Sequence, residues 1–132
     1  MSITISHLDH LVLTVRDMQA TCDFYQRVLG MDVRTFGEGR VSLHYGNQKI
    51  NLHQLGQEVM PNAQHAAPGT ADLCFIVSTP IEQVHAHLQA QNVPLITDIV
   101  PRTGANGSIR SIYFCDPDGN LIELSAYEDD NA

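Results

Sequence analysis

The segments HLVLTV (residues 10–15) and DLCFIV (residues 72–77) decide the fold, because they repeat one apolar, β-prone pattern at an offset of 62 residues. Each segment predicts a strand, and a helical pattern follows each one. In QATCDFYQRVLG (residues 19–30) apolar residues recur at helical spacing, and the last glycine suits a C-terminal end. In the second half STP (residues 78–80) offers Ser or Thr as the N-cap, with Pro at the first helical position. Each half therefore begins with a strand and a helix.

Three short β-prone runs follow each helix, separated by turns that contain glycine. The runs are MDVRTF (31–36), RVSLHYG (40–46) and QKINLHQ (48–54) in the first half, and PLITDIV (94–100), IRSIYFC (109–115) and NLIELSAY (120–127) in the second. The turns in the second half are PRTGANGS (101–108) and DPDG (116–119). The sequence thus predicts an α+β fold: one domain of residues 1–132, built from tandem βαβββ modules at 8–55 and 70–127. We expect their strands to form a cupped, half-barrel mixed sheet.

The composition excludes several classes of partner. Seven Lys and Arg residues stand against 15 Asp and Glu, which gives a formal net charge of -8. This charge opposes nucleic acids and anionic membranes, and no segment approaches the roughly 20 apolar residues of a membrane span. The N-terminus lacks the pattern of a signal peptide, so we expect a soluble, cytoplasmic protein. Three distant cysteines predict no disulfide framework, and Cys74 and Cys115 are expected to be small core residues.

Polar residues occupy equivalent places in the two halves. The repeat pairs His10 with Asp72 at the openings of the first strands, and Asn51 with Glu123 in the last strands. Since side chains alternate between the faces of a strand, Asn51 shares its face with His53, while the neighbouring aliphatic residues point to the opposite side. Glu123 stands between two such aliphatic residues. We therefore expect one polar face in each module, turned towards the cup, where a site would form.

The motifs LDHLVLTVRDMQATCDFYQRVLGMDV (8–33) and DPDGNLIEL (116–124), in this order, resemble the vicinal oxygen chelate superfamily. This superfamily contains glyoxalases, bleomycin-resistance proteins and extradiol dioxygenases. KINLHQ (49–54), GTADLCFIV (69–77) and PRTGANGSIRSIYF (101–114) are most similar to small glyoxalase-domain-containing proteins. The resemblance implies the paired βαβββ fold, a homodimer and a divalent metal held by residues on the first and last strands of both modules.

Carried over residue by residue, the resemblance places metal ligands at His10 and Glu123, both of the expected type. The other two positions depart from the pattern. Asn51 stands where a stronger donor is usual, and His53 on the same face is an alternative ligand. Asp72 stands where His is usual, and it also has the propensity of a turn-capping carboxylate. A set of imidazoles and carboxylates suits Zn, Ni, Mn, Fe or Co, and the sequence does not choose among them.

Substrate contacts are expected from Arg102, Arg110, Tyr113 and Asn51. The two arginines border TGANGS (103–108), which we interpret as a lid-type loop, and could clamp an anionic group. Ordinary surface arginines would fit the same pattern. Tyr113 is expected to line the pocket from the penultimate strand.

The function that the resemblance implies first is that of a metal-dependent lyase or isomerase of glyoxalase I type. It would act on a small substrate with vicinal oxygens, with Glu123 as the catalytic general base. A dioxygenase or an epoxide-opening resistance enzyme is an alternative. A non-enzymatic, drug-sequestering protein of the bleomycin-resistance type is another, and the imperfect ligand set favours it.

Overall fold

The computed structural model describes residues 2–128, which fall into two compact units with the boundary between Pro68 and Gly69. Each unit is one βαβββ module, so the predicted α+β fold of tandem modules is confirmed. The first unit contains β1 (His10–Val15), α1 (Met18–Leu29), β2 (Asp32–Phe36), β3 (Arg40–Tyr45) and β4 (Gln48–Gln54). The second contains β5 (Asp72–Ile76), α2 (Ile81–Ala90), β6 (Val100–Gly104), β7 (Gly107–Cys115) and β8 (Leu121–Tyr127).

Both sheets have the same mixed topology. Their strand orders are β1-β4-β3-β2 and β5-β8-β7-β6. The last strand of each unit lies parallel to the first strand and antiparallel to the third. β4 and β8 are consequently hydrogen-bonded on both sides, and their side chains are held in a fixed register against two neighbours.

The core of each unit lies on the aliphatic side of its sheet. In β4 and β8 the alternate residues Ile50, Leu52, Ile122 and Leu124 are buried, as the period-two pattern requires. Each helix buries one stripe at helical spacing. The fully buried side chains include Tyr25, Leu43 and Ile50 in the first unit and Leu88, Ile112, Phe114 and Ile122 in the second.

The helix ends follow the sequence in α1 and depart from it in α2. Asp17 caps α1 by accepting a hydrogen bond from the backbone N–H of Ala20, and Gly30 ends the helix in the left-handed conformation, at φ 67°. In α2 the expected N-cap is wrong. Pro80 itself occupies the N-cap position with ψ 136°, and no side chain caps the helix. Neither helix within residues 2–128 is long and apolar enough to cross a membrane.

The hairpin of β6 and β7 differs from its prediction. The segment at 101–108 is not a long loop, because β6 runs through it as far as Gly104 and only a two-residue turn separates it from β7. Of the predicted strand at 94–100, only Val100 belongs to β6, and Leu95 forms a single bridge with Phe114. Pro101 is tolerated in β6 because this strand lies at the edge of the sheet. The lid interpretation is therefore wrong.

The predicted turn between β7 and β8 is confirmed, and buried polar groups stabilise it. Asp116 Oδ1 accepts hydrogen bonds from the backbone N–H groups of Asp118 and Asn120, both at 2.9 Å. The Asn120 side chain donates to Asp116 Oδ2 at 2.8 Å and accepts from the Ala71 N–H at 2.9 Å. A Cβ at Gly69 would lie 2.6 Å from the Asp118 carbonyl oxygen. Asn120 thus ties the turn to the segment that enters β5.

We predict that Asn120→Ala lowers the free energy of unfolding by about 2–3 kcal/mol. The reason is that the variant loses the hydrogen bond that the Asn120 amide donates to the buried Asp116 carboxylate and the acceptor of the part-buried Ala71 N–H. Urea unfolding at pH 7 measures the loss.

Gln89→Ala, which removes an exposed amide from α2, is the matched control and should change stability by less than about 0.5 kcal/mol. An equal effect of the two substitutions would contradict the structural role of Asn120.

Candidate functional site

The first sheet presents a polar face opposite its aliphatic side. Strand alternation and register assign this face twelve residues. They are His10, Val12, Thr14, Asp32, Arg34, Phe36, Arg40, Ser42, His44, Lys49, Asn51 and His53, and we call them the first polar face. Asn51 lies between Val12 of β1 and Ser42 of β3. Asn51 and His53 share this face, as predicted.

Asn51 and His53 are buried without internal partners. Each has only 5% of its surface exposed. Within residues 2–128, both ring nitrogens of His53 and the Oδ1 atom of Asn51 lack a hydrogen-bond partner. Burial lowers the pKa of His53, and the nearby Arg40 charge lowers it further, so the imidazole is neutral at pH 7. Because a buried polar group without a partner costs about 1–3 kcal/mol, the pair is a candidate contact for a ligand.

His10 is oriented by its neighbour in sequence. Its Nδ1 lies 2.8 Å from the carboxylate of Asp9, and this hydrogen bond lowers the pKa of Asp9. In the neutral tautomer whose Nδ1–H donates to a carboxylate, Nε2 is the nitrogen with a free lone pair. This is the arrangement in which a histidine binds a metal. His10 is exposed at the start of β1, beside Lys49 of β4.

The second sheet has an equivalent polar face, on which Glu123 lies between Cys74 of β5 and Tyr113 of β7. Its Oε2 accepts a hydrogen bond from Ser125 Oγ at 3.1 Å. Ser125 Oγ in turn lies 2.7 Å from Ser111 Oγ, and both serines are fully buried. The two hydroxyls form a hydrogen-bonded chain that orients the carboxylate on the face expected from the sequence.

The cysteines depart from their prediction. Cys74 and Cys115 are exposed, not core residues. The physical reason is strand alternation, since both belong to the polar face, where Cys74 is paired with Glu123. The Cys74 Sγ lies 3.4 Å from Ser125 Oγ, and partial burial raises the pKa of its thiol. All three cysteines are free.

The two candidate arginines separate onto opposite faces of the second sheet. Arg102 donates from Nε to the Tyr113 hydroxyl at 3.1 Å, and its guanidinium lies 5.3 Å from the centre of the Tyr113 ring. Burial raises the pKa of Tyr113, so its phenol stays protonated. Arg110 belongs to the opposite face and forms an ion pair with Glu82 of α2 at 2.7 Å. The structure therefore brings Arg102, but not Arg110, to the polar face.

The four predicted metal ligands have the residue types of a divalent metal site, but within residues 2–128 they are not grouped around one point. His10 and His53 supply imidazole nitrogens, and Asp72 and Glu123 supply carboxylates, a set that suits a transition metal. Asp72 is exposed at the start of β5, opposite Leu121. Within residues 2–128, no three His, Cys, Asp or Glu side chains are grouped closely enough to hold an ion. The ligand assignment remains a prediction.

One cluster was missed by the sequence analysis. Arg40 and Lys49 both lie over the ring of Phe36, with the guanidinium carbon 4.6 Å and the ammonium nitrogen 4.1 Å from the ring centre. A signal for it was present, because Arg40 and Lys49 alternate in phase with Ser42 and Asn51 on adjacent strands. Arginine and lysine are not metal ligands, so the resemblance to a metal site does not include them.

The buried state of His53 predicts a pH dependence of stability. Its pKa is lowered in the folded protein, whereas the unfolded chain binds the proton near the ordinary value of about 6.5. The unfolded state thus binds more protons below that pH, and folding stability falls as the pH falls. We expect His53→Gln to lose less stability than wild type between about pH 7.5 and 5.5 in urea titrations.

His65→Gln, in the exposed segment between the units, controls for the substitution itself. If His53→Gln kept the full pH dependence of wild type, the burial of a neutral imidazole would be disproved.

Comparison with known proteins agrees with this architecture. The family model of the Glyoxalase/Bleomycin resistance protein/Dioxygenase superfamily matches residues 7–124. Glyoxalase domain-containing protein RDO1 of Mycosarcoma maydis is 51% identical over 127 residues, which cover 96% of this chain and 72% of that protein. Virulence protein STM3117 of Salmonella typhimurium is 51% identical over 123 residues, covering 93% and 85%.

Solved structures give the same result. Integron cassette protein VCH_CASS1, from the mobile metagenome of V. cholerae, is 54% identical with a TM-score of 0.95, covering 97% of this chain and all of that one. The lactoylglutathione lyase of Agrobacterium tumefaciens shares the fold at 23% identity and a TM-score of 0.72, over 93% of this chain and 95% of that one. The antibiotic binding protein TnmS3 of Streptomyces shares it at 22% identity and 0.75, over 96% of this chain and all of that one. The chain belongs to the Glyoxalase/Bleomycin resistance protein/Dioxygenase superfamily.

Proposed function

We propose that this protein is a metal-dependent lyase or isomerase of glyoxalase I type that acts on a small substrate with vicinal oxygens. The ligands of the ion would be His10, His53, Asp72 and Glu123. The observation that carries the proposal is His53, a neutral imidazole that is 5% exposed and has no partner for either ring nitrogen. Neutral imidazole is the form in which histidine binds a metal.

The residues around the predicted ligands have distinct roles in this proposal. A divalent ion, when bound, supplies a Lewis acid for two neighbouring substrate oxygens. The Glu123 carboxylate, oriented by Ser125, takes the substrate proton as general base. The Arg102 guanidinium and the protonated Tyr113 phenol, joined by their hydrogen bond, donate to a substrate oxygen on the same face.

The superfamily also supports a second function, that of a metal-free protein that binds and sequesters a small molecule. Two observations favour it. No three potential ligands are grouped within residues 2–128, and the neutral amide of Asn51 stands where the superfamily's metal sites carry a stronger donor. TnmS3, which shares the fold, is an antibiotic binding protein. A dioxygenase or an epoxide-opening resistance enzyme is the other alternative, and a dioxygenase would use two His and one Glu, for which His10, His53 and Glu123 are the candidates.

The same proposal includes a homodimer that works in the cytoplasm on a small molecule, without a nucleic acid or membrane partner. Each sheet ends in two edge strands, which pairing with a second copy would protect. The net charge of -8 favours neither nucleic acids nor anionic lipids.

We predict that the purified protein carries one divalent ion per chain, measured by native mass spectrometry with elemental analysis, and that His10→Ala or Glu123→Ala loses it. Asp9→Asn should weaken metal affinity by about 10- to 100-fold, because Asp9 orients the His10 ring. Asp23→Asn, the same change at an exposed position of α1, should leave the affinity unchanged.

A protein that stays metal-free after incubation with Zn, Ni, Mn, Fe or Co contradicts the lyase proposal. A shift in melting temperature with a small molecule in that metal-free protein would then support sequestration.

A further inference from the structure

Two cations on the first polar face contact the same aromatic ring. Arg40 of β3 and Lys49 of β4 both lie over Phe36, at 4.6 and 4.1 Å from its centre. Cation–π contacts of this kind position the charges but do not neutralise them. Two like charges that contact one ring repel each other, so the arrangement favours an anion.

No carboxylate of the described chain neutralises this pair. Within residues 2–128, neither Arg40 nor Lys49 forms an ion pair. Asp32 is the only acidic residue among the twelve of the first polar face, and its carboxylate already contacts Arg34 at 3.3 Å. Asp9, whose pKa the Lys49 charge helps to lower, is hydrogen-bonded to His10. A cationic face in a protein with a net charge of -8 is unexpected unless it has a use.

Buried polar atoms without partners lie beside the cations. On this face the Cα atom of Lys49 lies one cross-strand pair before that of Asn51. The Cα atom of Arg40 lies one cross-strand pair after it, opposite His53. Asn51 therefore lies between the backbone positions of the two cations, whose side chains both extend to the ring of Phe36. Asn51 Oδ1, in a side chain that is 95% buried, lacks a hydrogen-bond donor, and both ring nitrogens of His53 lack partners. The face therefore offers two cations for an oxyanion and the Asn51 Oδ1 acceptor for a hydroxyl group. The imidazole of His53 can contact the oxyanion or the hydroxyl group.

We propose that the first polar face binds a small hydroxylated oxyanion, a molecule in which a hydroxyl group lies next to a carboxylate or phosphate. Arg40 and Lys49 bind the oxyanion, Asn51 Oδ1 accepts from the hydroxyl, and His53 contacts one of the ligand oxygens. This inference rests on the proposed function in that it shares His53 and names the class of its substrate. Phe36, Arg40 and Lys49 are not metal ligands, which allows the two to be tested separately.

The test is an NMR titration of the protein as purified, following the backbone amides of Phe36, Lys49 and Asn51. Glycolate and glycerol 3-phosphate are the hydroxylated oxyanions, acetate and propyl phosphate are the anions without the hydroxyl, and glycerol is the neutral probe. Glycolate should bind more tightly than acetate, and glycerol 3-phosphate more tightly than propyl phosphate. Glycerol should leave the three amides unshifted.

Charge-removing variants assign the binding to the two cations. Arg40→Gln combined with Lys49→Gln should weaken oxyanion binding by about tenfold or more. Arg27→Gln, at an exposed position of α1, removes a cation elsewhere and should bind as wild type does. Asn51→Ala should erase the preference for glycolate over acetate while the cations still bind both. The single variants Arg40→Gln and Lys49→Gln replace the double variant if circular dichroism shows that it is unfolded.

The inference is overturned if none of the anions shifts these amides, or if the charge-removing variants bind them as tightly as Arg27→Gln does. Metal content, measured on the same samples, separates the two proposals. Anion binding in a protein that takes up no ion would contradict the lyase proposal alone. A bound ion without anion binding would contradict the oxyanion site alone.

Discussion

The double pairing of the last strand in each unit is the constraint on which the rest of the structure depends. β4 is parallel to β1 and antiparallel to β3, and β8 has the same relation to β5 and β7. A strand held on both sides cannot shift by one residue without turning its aliphatic side chains away from the core. The register that buries Ile50 and Ile122 therefore also fixes Asn51 and Glu123 on the opposite, polar face.

The polar side chains that the register fixes on these faces differ between the two units in their hydrogen-bond partners. Glu123 is supported from within its unit by the chain of Ser125 and Ser111 hydroxyls. Asn51 and His53 have no comparable support, although they are more deeply buried. A fold stabilised only by its own contacts would gain from apolar side chains at these two places. We propose that a ligand explains their polarity, whether that ligand is an ion, a hydroxylated oxyanion or both.

The sequence predicts most of the fold because its repeat, its glycine-bearing turns and its alternating strands agree with one another. It fails where a residue has two physically allowed roles. Pro101 suggested a loop, but an edge strand tolerates proline. Residues 101 and 102 therefore belong to strand β6 and not to a loop. Cys74 suggested the core, but β5 turns it to the polar face. Strand alternation was sufficient to place Asn51, His53 and Glu123 on their faces. Strand alternation could not reveal that Arg40 and Lys49 both contact the ring of Phe36, because the direction in which a side chain extends across neighbouring strands depends on packing.

The most direct test of the central claim is the unfolding free energy of Asn51→Leu and His53→Leu, measured with metal and ligand binding on the same samples. If these polar groups are kept for a ligand, the apolar variants should be as stable as wild type or more stable by about 1 kcal/mol. His53→Leu should then lose the metal ion, and Asn51→Leu should lose the preference for glycolate over acetate. A loss of more than about 2 kcal/mol of stability with binding intact would contradict the account, because the two side chains would then serve the fold and not a ligand.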